Sequence, residues 1–265
     1  MSQTIGTNKV LGSYQLRGDV PKMYDNRSAR FYASIGFPGR QWTMNSASSD
    51  ASYINDYNIS GYTPVKYIHP DDSWAGGKGN VKGSFITSPK PFAIIRYAEV
   101  LLEYVEALNN VTGTVTVTTP DMTGTDVEVT VSRDVQEMAK YFNMIRYRVG
   151  LPGPALSDMN DANRFEQIIR NERQVELFNE GYRYFDTRRW GTFLTDDANM
   201  SNWRGLDVQK DRTDVSGNPG FWNIVTIDQQ NIRDRVALPK MVFMPIRHDE
   251  LLKVPAMDQN PGWDR

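Results

Sequence analysis

Aromatic side chains in polar loops are the residues of this 265-residue chain that best suit ligand binding. Rings stand beside Asn, Asp, Arg or Gln residues at Trp42, Tyr53, Tyr57, Trp74 and Trp203. A flat ring covers the apolar C–H face of a sugar, while its polar neighbours bond the hydroxyl groups. A loop aromatic also often anchors its own loop to the core, so each position has a structural alternative. We therefore predict that this set contains ligand contacts, without expecting every member to be one.

Carboxylates and arginines crowd the segment 161–190, which invites comparison with an active site. Glu172 and Glu176 are one helical turn apart and are interleaved with Arg170 and Arg173. Ion pairs at i,i+3 and i,i+4 follow from that spacing, and an Arg–carboxylate pair can join one helix to another. We interpret these charges as structural, since such networks are common outside active sites.

Composition excludes several classes of function. There are no cysteines and only two histidines, His69 and His248, so disulfides, thiolate sites and His-rich metal sites are excluded. A formal charge of −2 argues against a nucleic-acid partner. We find no serine-hydrolase or zinc-protease motif, and a pair among 32 acidic residues carries no weight as a glycosidase signal. We predict no catalytic residues, no metal and no cofactor.

Apolar periodicity indicates the elements that hold these residues. It predicts helices over 92–109, 133–149 and 161–189, with Ser132 as the N-cap of the second and Gly181 as an interruption of the third. The apolar stripe of the first helix includes Ile94 and Ile95, and that of the third includes Val175 and Phe185. Alternating Val and Thr at 114–118 and 127–131 predict a β-hairpin. Residues 30–35, 62–68 and 240–247 suggest short strands. Trp190 and Trp263 are predicted to be core residues, and Trp222 is left unassigned.

Four groups of residues carry a resemblance to a known family. They are IRYAEVLL at 95–102 with EAL at 106–108; NMIRYRVGLP at 143–152; IRNERQVEL at 169–177 followed by EGYRYFD at 180–186 and RRW at 188–190; and FMPI at 243–246 with Glu250 and QNPG at 259–262. In this order they resemble the C-terminal half of the SusD/RagB family, which comprises outer-membrane nutrient-binding lipoproteins of Bacteroidetes-type bacteria. The hairpin at 112–132 is an insertion relative to that pattern.

The resemblance implies a mainly α fold of tetratricopeptide-like helices with large irregular loop insertions and a small β-hairpin. We expect one SusD/RagB-like C-terminal domain over 1–265. Within it, 1–91 is a loop-rich ligand-binding region, 92–190 a helical scaffold carrying the hairpin, and 191–265 a loop and tail. Because family members are about twice as long, we expect an N-terminal half to lie outside this chain.

The resemblance also implies a function. The protein is expected to capture an oligosaccharide at the extracellular face of the outer membrane and to pass it to a SusC-like TonB-dependent transporter. Its membrane attachment is expected through an N-terminal lipid anchor absent from this chain, which is itself expected to be soluble, and no enzyme activity is expected. Two alternatives stay open: a peptide- or protein-binding relative on the same scaffold, and a glycoside hydrolase.

Overall fold

A computed structural model of the chain describes residues 9–11, 14–16, 21–40, 59–68, 73–75, 84–86, 89–91, 93–197, 203–210, 220–227 and 236–264. Its α-helices are α1 (Ala29–Ser34), α2 (Tyr97–Asn109), α3 (Val135–Arg148), α4 (Leu156–Asn160), α5 (Ala162–Glu176), α6 (Tyr182–Arg189) and α7 (His248–Lys253). Single turns of 3₁₀-helix lie at Lys22–Tyr24, Gly220–Trp222 and Pro239–Val242, and a π turn lies at Phe193–Asp197. The mainly α fold class is thus confirmed.

The strands are short except in one hairpin. They are β1 (Lys9–Leu11), β2 (Tyr14–Leu16), β3 (Ile35–Gly36), β4 (Thr63–Pro64), β5 (Ser73–Ala75), β6 (Ser84–Ile86), β7 (Thr114–Pro120), β8 (Asp126–Ser132), β9 (Arg204–Leu206) and β10 (Ile224–Thr226). β1 pairs with β2, β5 with β6, β7 with β8 and β9 with β10, all antiparallel. The predicted hairpin is therefore confirmed, with strands slightly longer than expected.

The chain divides into two compact units. The first unit comprises Met1–Asn55 and Pro64–Asn179, and the second comprises Asp56–Thr63 and Glu180–Arg265. The first unit contains α1 to α5 with the β7–β8 hairpin, and the second contains α6, α7 and the β9–β10 pair.

Helices α2, α3 and α5 form the apolar core of the first unit, with α2 packed against both of the others. The buried side chains between them are Leu101, Leu102, Val105 and Leu108 of α2, Met138, Phe142 and Ile145 of α3, and Phe165 and Ile169 of α5. The rings of Phe142 and Phe165 meet edge to face with centroids 5.4 Å apart. Full burial of one such side chain contributes about 1.5–3 kcal/mol, so this periodic stripe accounts for the stability of the helical layer.

The first long helix begins later than predicted. α2 starts at Tyr97, and Arg96 before it is extended, with φ −131° and ψ 156°. Ile94 and Ile95, which the periodicity placed on the buried stripe, are 81% and 69% exposed. The extended Arg96 lets its side chain reach Glu176 instead of continuing the helix, and that contact decides where the helix begins.

The predicted third helix is two helices. α5 ends at Glu176, and the chain then passes through left-handed residues at Asn179 (φ 62°) and Gly181 (φ 87°) before α6 begins. Two such residues close together end a right-handed helix, which confirms the predicted interruption at Gly181. Phe185, expected on the buried stripe, is exposed.

Three other local predictions are wrong. The N-cap of α3 is Asp134 and not Ser132, since the Asp134 carboxylate accepts hydrogen bonds from the amides of Gln136 and Glu137. Residues 30–35 are mostly helix α1, not a strand, and in 62–68 strand geometry is confined to β4.

Residues 240–247 do not form the predicted strand. Their backbone groups are bonded by side chains of the C-terminal segment instead of by a partner strand. Gln259 accepts from the Ile246 amide at 2.7 Å and donates to the Ile246 carbonyl at 2.9 Å, and Asn260 donates to the Met244 carbonyl. Pro245, which has no amide hydrogen, would interrupt a strand ladder in any case.

Candidate functional site

The five predicted ligand-binding aromatics are only partly described. Trp42, Tyr53 and Tyr57 lie outside the described residues. Trp74 lies in β5 of the first unit, opposite Phe85 in the register with β6. Trp203 directly precedes β9 in the second unit. That this set contains ligand contacts stays a prediction.

Trp203 is a loop aromatic whose side chain is accessible, with 38% of its surface exposed. Its backbone is fixed, because its carbonyl accepts a hydrogen bond from the Ile227 amide at 2.7 Å. Arg204 beside it is also exposed. An accessible ring on a fixed backbone, next to an exposed arginine, is suited to stacking against a sugar.

The strand that follows Trp203 is held close to the chain at 59–62. The Leu206 amide donates to the Ser60 carbonyl at 3.0 Å. A Cβ at Gly205 would lie only 2.6 Å from that same carbonyl oxygen, so glycine is required for this approach. The position of Trp203 is therefore set by a close backbone contact within the second unit.

A second accessible feature is a pocket in the second unit with a volume of about 240 Å³. Its walls are mainly aromatic and apolar, with one arginine: Tyr184, Arg188, Phe193, Val236, Met241, Phe243, Met244, Pro245 and Trp263. This pocket was not predicted from the sequence. The available signal was that the EGYRYFD, RRW and FMPI motifs each contribute at least one side chain to it.

Arg188 joins the two sides of this pocket. Its guanidinium carbon lies 3.6 Å from the ring centroid of Tyr184 and 4.1 Å from that of Phe193. It also donates to the carbonyls of Tyr184 and Met241, at 2.7 and 3.1 Å. Arginine suits this place because its planar group stacks on rings and bonds in the plane at the same time.

Trp263 closes the other side and is half-buried, not the core residue that the sequence predicted. Its indole N–H donates to the carbonyls of Lys240 and Phe243, and the Lys240 ammonium lies 4.6 Å from the ring centroid. Trp190 is likewise half-buried. Trp222, left unassigned from sequence, is buried edge to face against Phe221. We call the bonds of Gln259, Asn260 and Trp263 to residues 240–246 the C-terminal clasp.

Two carboxylates of 161–190, Glu172 and Glu176, lie in a buried cluster in the first unit. Glu172 accepts from Arg30 of α1 at 2.6 Å and from Arg146 of α3 at 2.8 Å. Arg146 also donates to the Pro152 carbonyl. Glu172 is thus bonded by two other elements, and its side chain is almost fully buried.

Glu176 has even more partners. Its carboxylate accepts from Arg30 at 3.0 Å, Arg96 at 2.7 Å and Arg148 at 2.5 Å, while its carbonyl accepts from Lys66. Burial acts to raise the pKa of Glu176, but the Arg96 hydrogen bond and the charges of Arg148, Arg96 and Arg30 outweigh it and hold that pKa below its usual value. We call these two glutamates with Arg30, Arg96, Arg146 and Arg148 the ion-pair cluster.

The ion-pair cluster confirms that these charges are structural. A general acid must hold a proton at its working pH, and a carboxyl with a lowered pKa does not. Glu176 is therefore unsuited to the acid role that glycoside hydrolysis requires. Sequence reasoning did not identify the partners from α1 and α3, because a pair between residues 142 positions apart leaves no local pattern.

Neither a metal-binding group nor a membrane-spanning helix occurs within the described ranges. No group of three or more His, Asp or Glu side chains there could hold a metal ion. None of the helices in that part of the chain is long and apolar enough to cross a membrane.

The comparisons with known proteins agree with the motifs. The sequence pattern of the SusD family matches residues 7–263. A SusD-like protein, BF3747, from Bacteroides fragilis NCTC 9343 is 25% identical with a TM-score of 0.62, over 91% of this chain and 40% of that one. The structure of BT4246 is 24% identical with a TM-score of 0.64, over 93% of this chain and 38% of that one.

The chain spans about two fifths of the length of both solved structures. No protein of curated function matches it. Since the family pattern nevertheless covers almost the whole sequence, this chain belongs to the SusD family.

Proposed function

We propose that this chain is the glycan-binding component of an outer-membrane nutrient-uptake system. It captures an oligosaccharide at the cell surface and passes it to a partner transporter of the SusC-like, TonB-dependent type. The observation that carries this proposal is the match of the SusD family over residues 7–263. The ligand is released unchanged, so the protein is a binding protein and not an enzyme.

Loop aromatics are the proposed contacts with the sugar: Trp42, Tyr53, Tyr57, Trp74 and Trp203. Support comes from Trp203, whose ring is accessible while its backbone is fixed by Ile227. A rigid aromatic platform loses little conformational entropy when a ligand binds, and it shields the apolar face of a sugar ring from water.

Titration calorimetry against a panel of oligosaccharides tests the proposal. For a glycan that binds, Trp203→Ala is expected to weaken affinity at least about fivefold, because stacking on one ring contributes roughly 1 kcal/mol. Tyr147→Ala is the matched control, since Tyr147 is an exposed aromatic on α3 and not on a loop. If alanine at Trp42, Tyr53, Tyr57, Trp74 and Trp203 in turn leaves affinity unchanged, the proposed site is wrong. If no glycan binds, the proposed function is wrong.

A peptide ligand is the second candidate, and the pocket of the second unit favours it. A space of about 240 Å³ walled by Phe243, Met244 and Trp263 matches one large apolar side chain better than a hydroxyl-rich ring. Phe243→Ala would then weaken binding of peptides that carry an aromatic residue and leave glycan binding unchanged. If Phe243→Ala instead weakened glycan binding and left peptide binding unchanged, the peptide candidate would be excluded.

A further inference from the structure

Arg188, which joins the two sides of the second-unit pocket, keeps hydrogen-bond donors that the protein does not use. A guanidinium carries five N–H groups. Arg188 donates one from Nη1 to the Tyr184 carbonyl and one from Nη2 to the Met241 carbonyl. Its Nε is buried and has no partner among the described residues. Because Nη1 and Nη2 each keep a second hydrogen, Arg188 can bind a further acceptor without giving up a contact within the protein.

The positive charge of Arg188 has no acidic partner within the described part of the chain. Arg189, the next residue of α6, by contrast pairs with Asp186 at 2.9 Å. The nine residues that line the pocket include no aspartate or glutamate. A cation between apolar walls attracts an anion more strongly than one in water does, because the local dielectric constant is lower. The charge of this pocket therefore favours an anionic ligand.

Two further donors lie at the same pocket. The Lys240 ammonium lies over the ring of Trp263, and it forms no ion pair with any residue of the described ranges. The Tyr184 hydroxyl donates to the sulfur of Met244 at 3.3 Å. Because a thioether sulfur is a weak acceptor, a carboxylate can replace it as the partner of that hydroxyl at little cost. Two cations and one hydroxyl group are thus available to a single anion.

The walls of the pocket suit an aromatic ring. Four of the nine lining residues are aromatic and two are methionines. Rings pack favourably against other rings and against thioethers. A cavity of about 150 Å³ holds benzene. The volume of about 240 Å³ therefore has room for one ring and a short chain that ends in a carboxylate.

We propose that the pocket of the second unit binds an aromatic carboxylic acid, with its carboxylate on Arg188 and the Tyr184 hydroxyl and its ring against Phe243 and Trp263. Two sources carry this chemistry: a small acid with one ring, and an aromatic residue at the carboxyl terminus of a short peptide. The inference goes beyond the capture of a glycan and does not depend on it. For the peptide candidate, it specifies that the end of the peptide binds.

Three probes that differ only in charge test the proposal on the wild-type chain. They are 3-phenylpropionate, 3-phenylpropanamide and 3-phenylpropylamine, which are negative, neutral and positive at pH 7. Titration calorimetry is expected to show that the acid binds at least tenfold more tightly than the amide, because charge-assisted hydrogen bonds are the stronger ones. The amine is expected not to bind. Equal affinity for all three probes, tighter binding of the amine, or no binding of the acid would overturn the proposal.

Two variants locate the carboxylate without disturbing Arg188, whose bonds also hold the pocket together. Tyr184→Phe keeps the ring and removes the hydroxyl, and Lys240→Gln removes the second cation. Each is expected to weaken binding of 3-phenylpropionate at least threefold and to affect the amide less. Tyr147→Phe on α3 and Lys253→Gln on α7 are the matched controls outside the pocket, and both are expected to bind the acid as wild type does. If the two pocket variants also bound it like wild type, the assigned site would be wrong.

A tripeptide distinguishes the two sources of the ligand. If Gly-Gly-Phe binds at least as tightly as 3-phenylpropionate while its carboxyl-terminal amide does not, the source is the end of a peptide. If the tripeptide binds more weakly than 3-phenylpropionate, the source is a small acid. The glycan titration is read separately. A chain that binds the acid but no glycan would overturn the proposed function alone, and one that binds a glycan but not the acid would overturn this inference alone.

Discussion

The ion-pair cluster and the C-terminal clasp both connect segments that are distant in sequence through side-chain bonds, but the bonding groups differ. In the cluster, charged side chains bond one another across α1, the start of α2, α3 and α5. In the clasp, neutral side chains bond the backbone of one irregular segment. The cluster bonds buried carboxylates, whereas the clasp bonds backbone groups that are half-buried or exposed. Only the cluster loses the partner of a charged group when one member is removed. The two regions should therefore differ in sensitivity to substitution and to pH.

Removing the charge of Glu176 should give the largest effect. Glu176→Gln removes the negative charge that Arg96 and Arg148 face, while Arg30 keeps its pair with Glu172. Breaking a buried ion pair from one side costs about 3–5 kcal/mol, and we expect a loss of that size in the free energy of unfolding. Urea denaturation followed by circular dichroism measures it.

The matched control for this variant is Glu250→Gln. Glu250 pairs with Lys253 on α7 at 2.7 Å, but both side chains are more than half exposed. Exposed pairs of this kind contribute less than about 1 kcal/mol. If both variants lost the same free energy of unfolding, the buried cluster would contribute no more to stability than an exposed ion pair.

Removing the amide of Gln259 should have a smaller and more local effect. Gln259→Ala deletes two bonds to Ile246 and one accepted from the Asn260 amide. At about 1 kcal/mol for each bond, we expect a loss of about 2–3 kcal/mol. Hydrogen exchange should show faster exchange at the Ile246 amide and unchanged protection in α2 and α5.

An exposed glutamine of α5 supplies the control for the clasp. Gln174→Ala alters an amide at a position that faces solvent, so it should leave both the stability and the exchange pattern unchanged. If Gln259→Ala instead lowered hydrogen-exchange protection in α5 as much as at Ile246, the effect of the clasp would not be confined to the C-terminal segment.

The same two regions explain how much of the fold the sequence predicts. Apolar residues at i, i+3 and i+4 predicted α2, α3 and the first half of α5, because a helix stripe is a local pattern. The second half of α5 buries Glu172, Arg173 and Glu176 in place of an apolar stripe, so periodicity wrongly assigned Val175, which is exposed. In the clasp, an apolar run suggested a strand, since nothing local shows that side chains twelve or more residues away bond its backbone.

The candidate site was predictable only as a set of residue types. Aromatic rings with polar neighbours can be read from sequence, and Trp203 is accessible as that interpretation requires. The pocket of the second unit was not predicted, because Tyr184 and Arg188 of α6 meet Met241 and Trp263 only through long-range contacts. Trp263 was assigned to the core because a motif position does not distinguish a buried ring from a half-buried one.

Acid should weaken the cluster and leave the clasp intact. The pKa of Glu176 is lower in the folded protein than its value of about 4.3 in an unfolded chain. The stability that this shift supplies is complete above about pH 4.3 and is lost as the pH falls through the folded pKa. Protonated Glu176 and the amide of Glu176→Gln are both neutral and both keep one carbonyl oxygen, so wild type and this variant should approach the same stability at low pH.

Thermal denaturation between pH 7 and pH 3 measures this dependence in wild type and in Glu176→Gln. The wild-type midpoint should fall more steeply below pH 4.3 than that of the variant. The Gln259 contacts contain no titratable side chain, so Gln259→Ala should follow the wild-type slope from a lower starting point. If the thermal midpoint of Glu176→Gln fell with pH as steeply as that of wild type, the assigned role of this carboxylate would be contradicted.

The smallest effect is expected at the N-cap of α3, which uses the bonding chemistry of the clasp on an exposed surface. The Asp134 carboxylate accepts from the amides of Gln136 at 2.8 Å and Glu137 at 3.0 Å. Asp134→Ala should cost about 1 kcal/mol, less than Gln259→Ala, because water replaces the lost acceptor. Ser132→Ala, at the position that sequence favoured, should cost nothing measurable by urea denaturation. If Asp134→Ala and Ser132→Ala lowered the free energy of unfolding equally, both residues would cap the helix, and the assignment of Asp134 alone as the N-cap would be wrong.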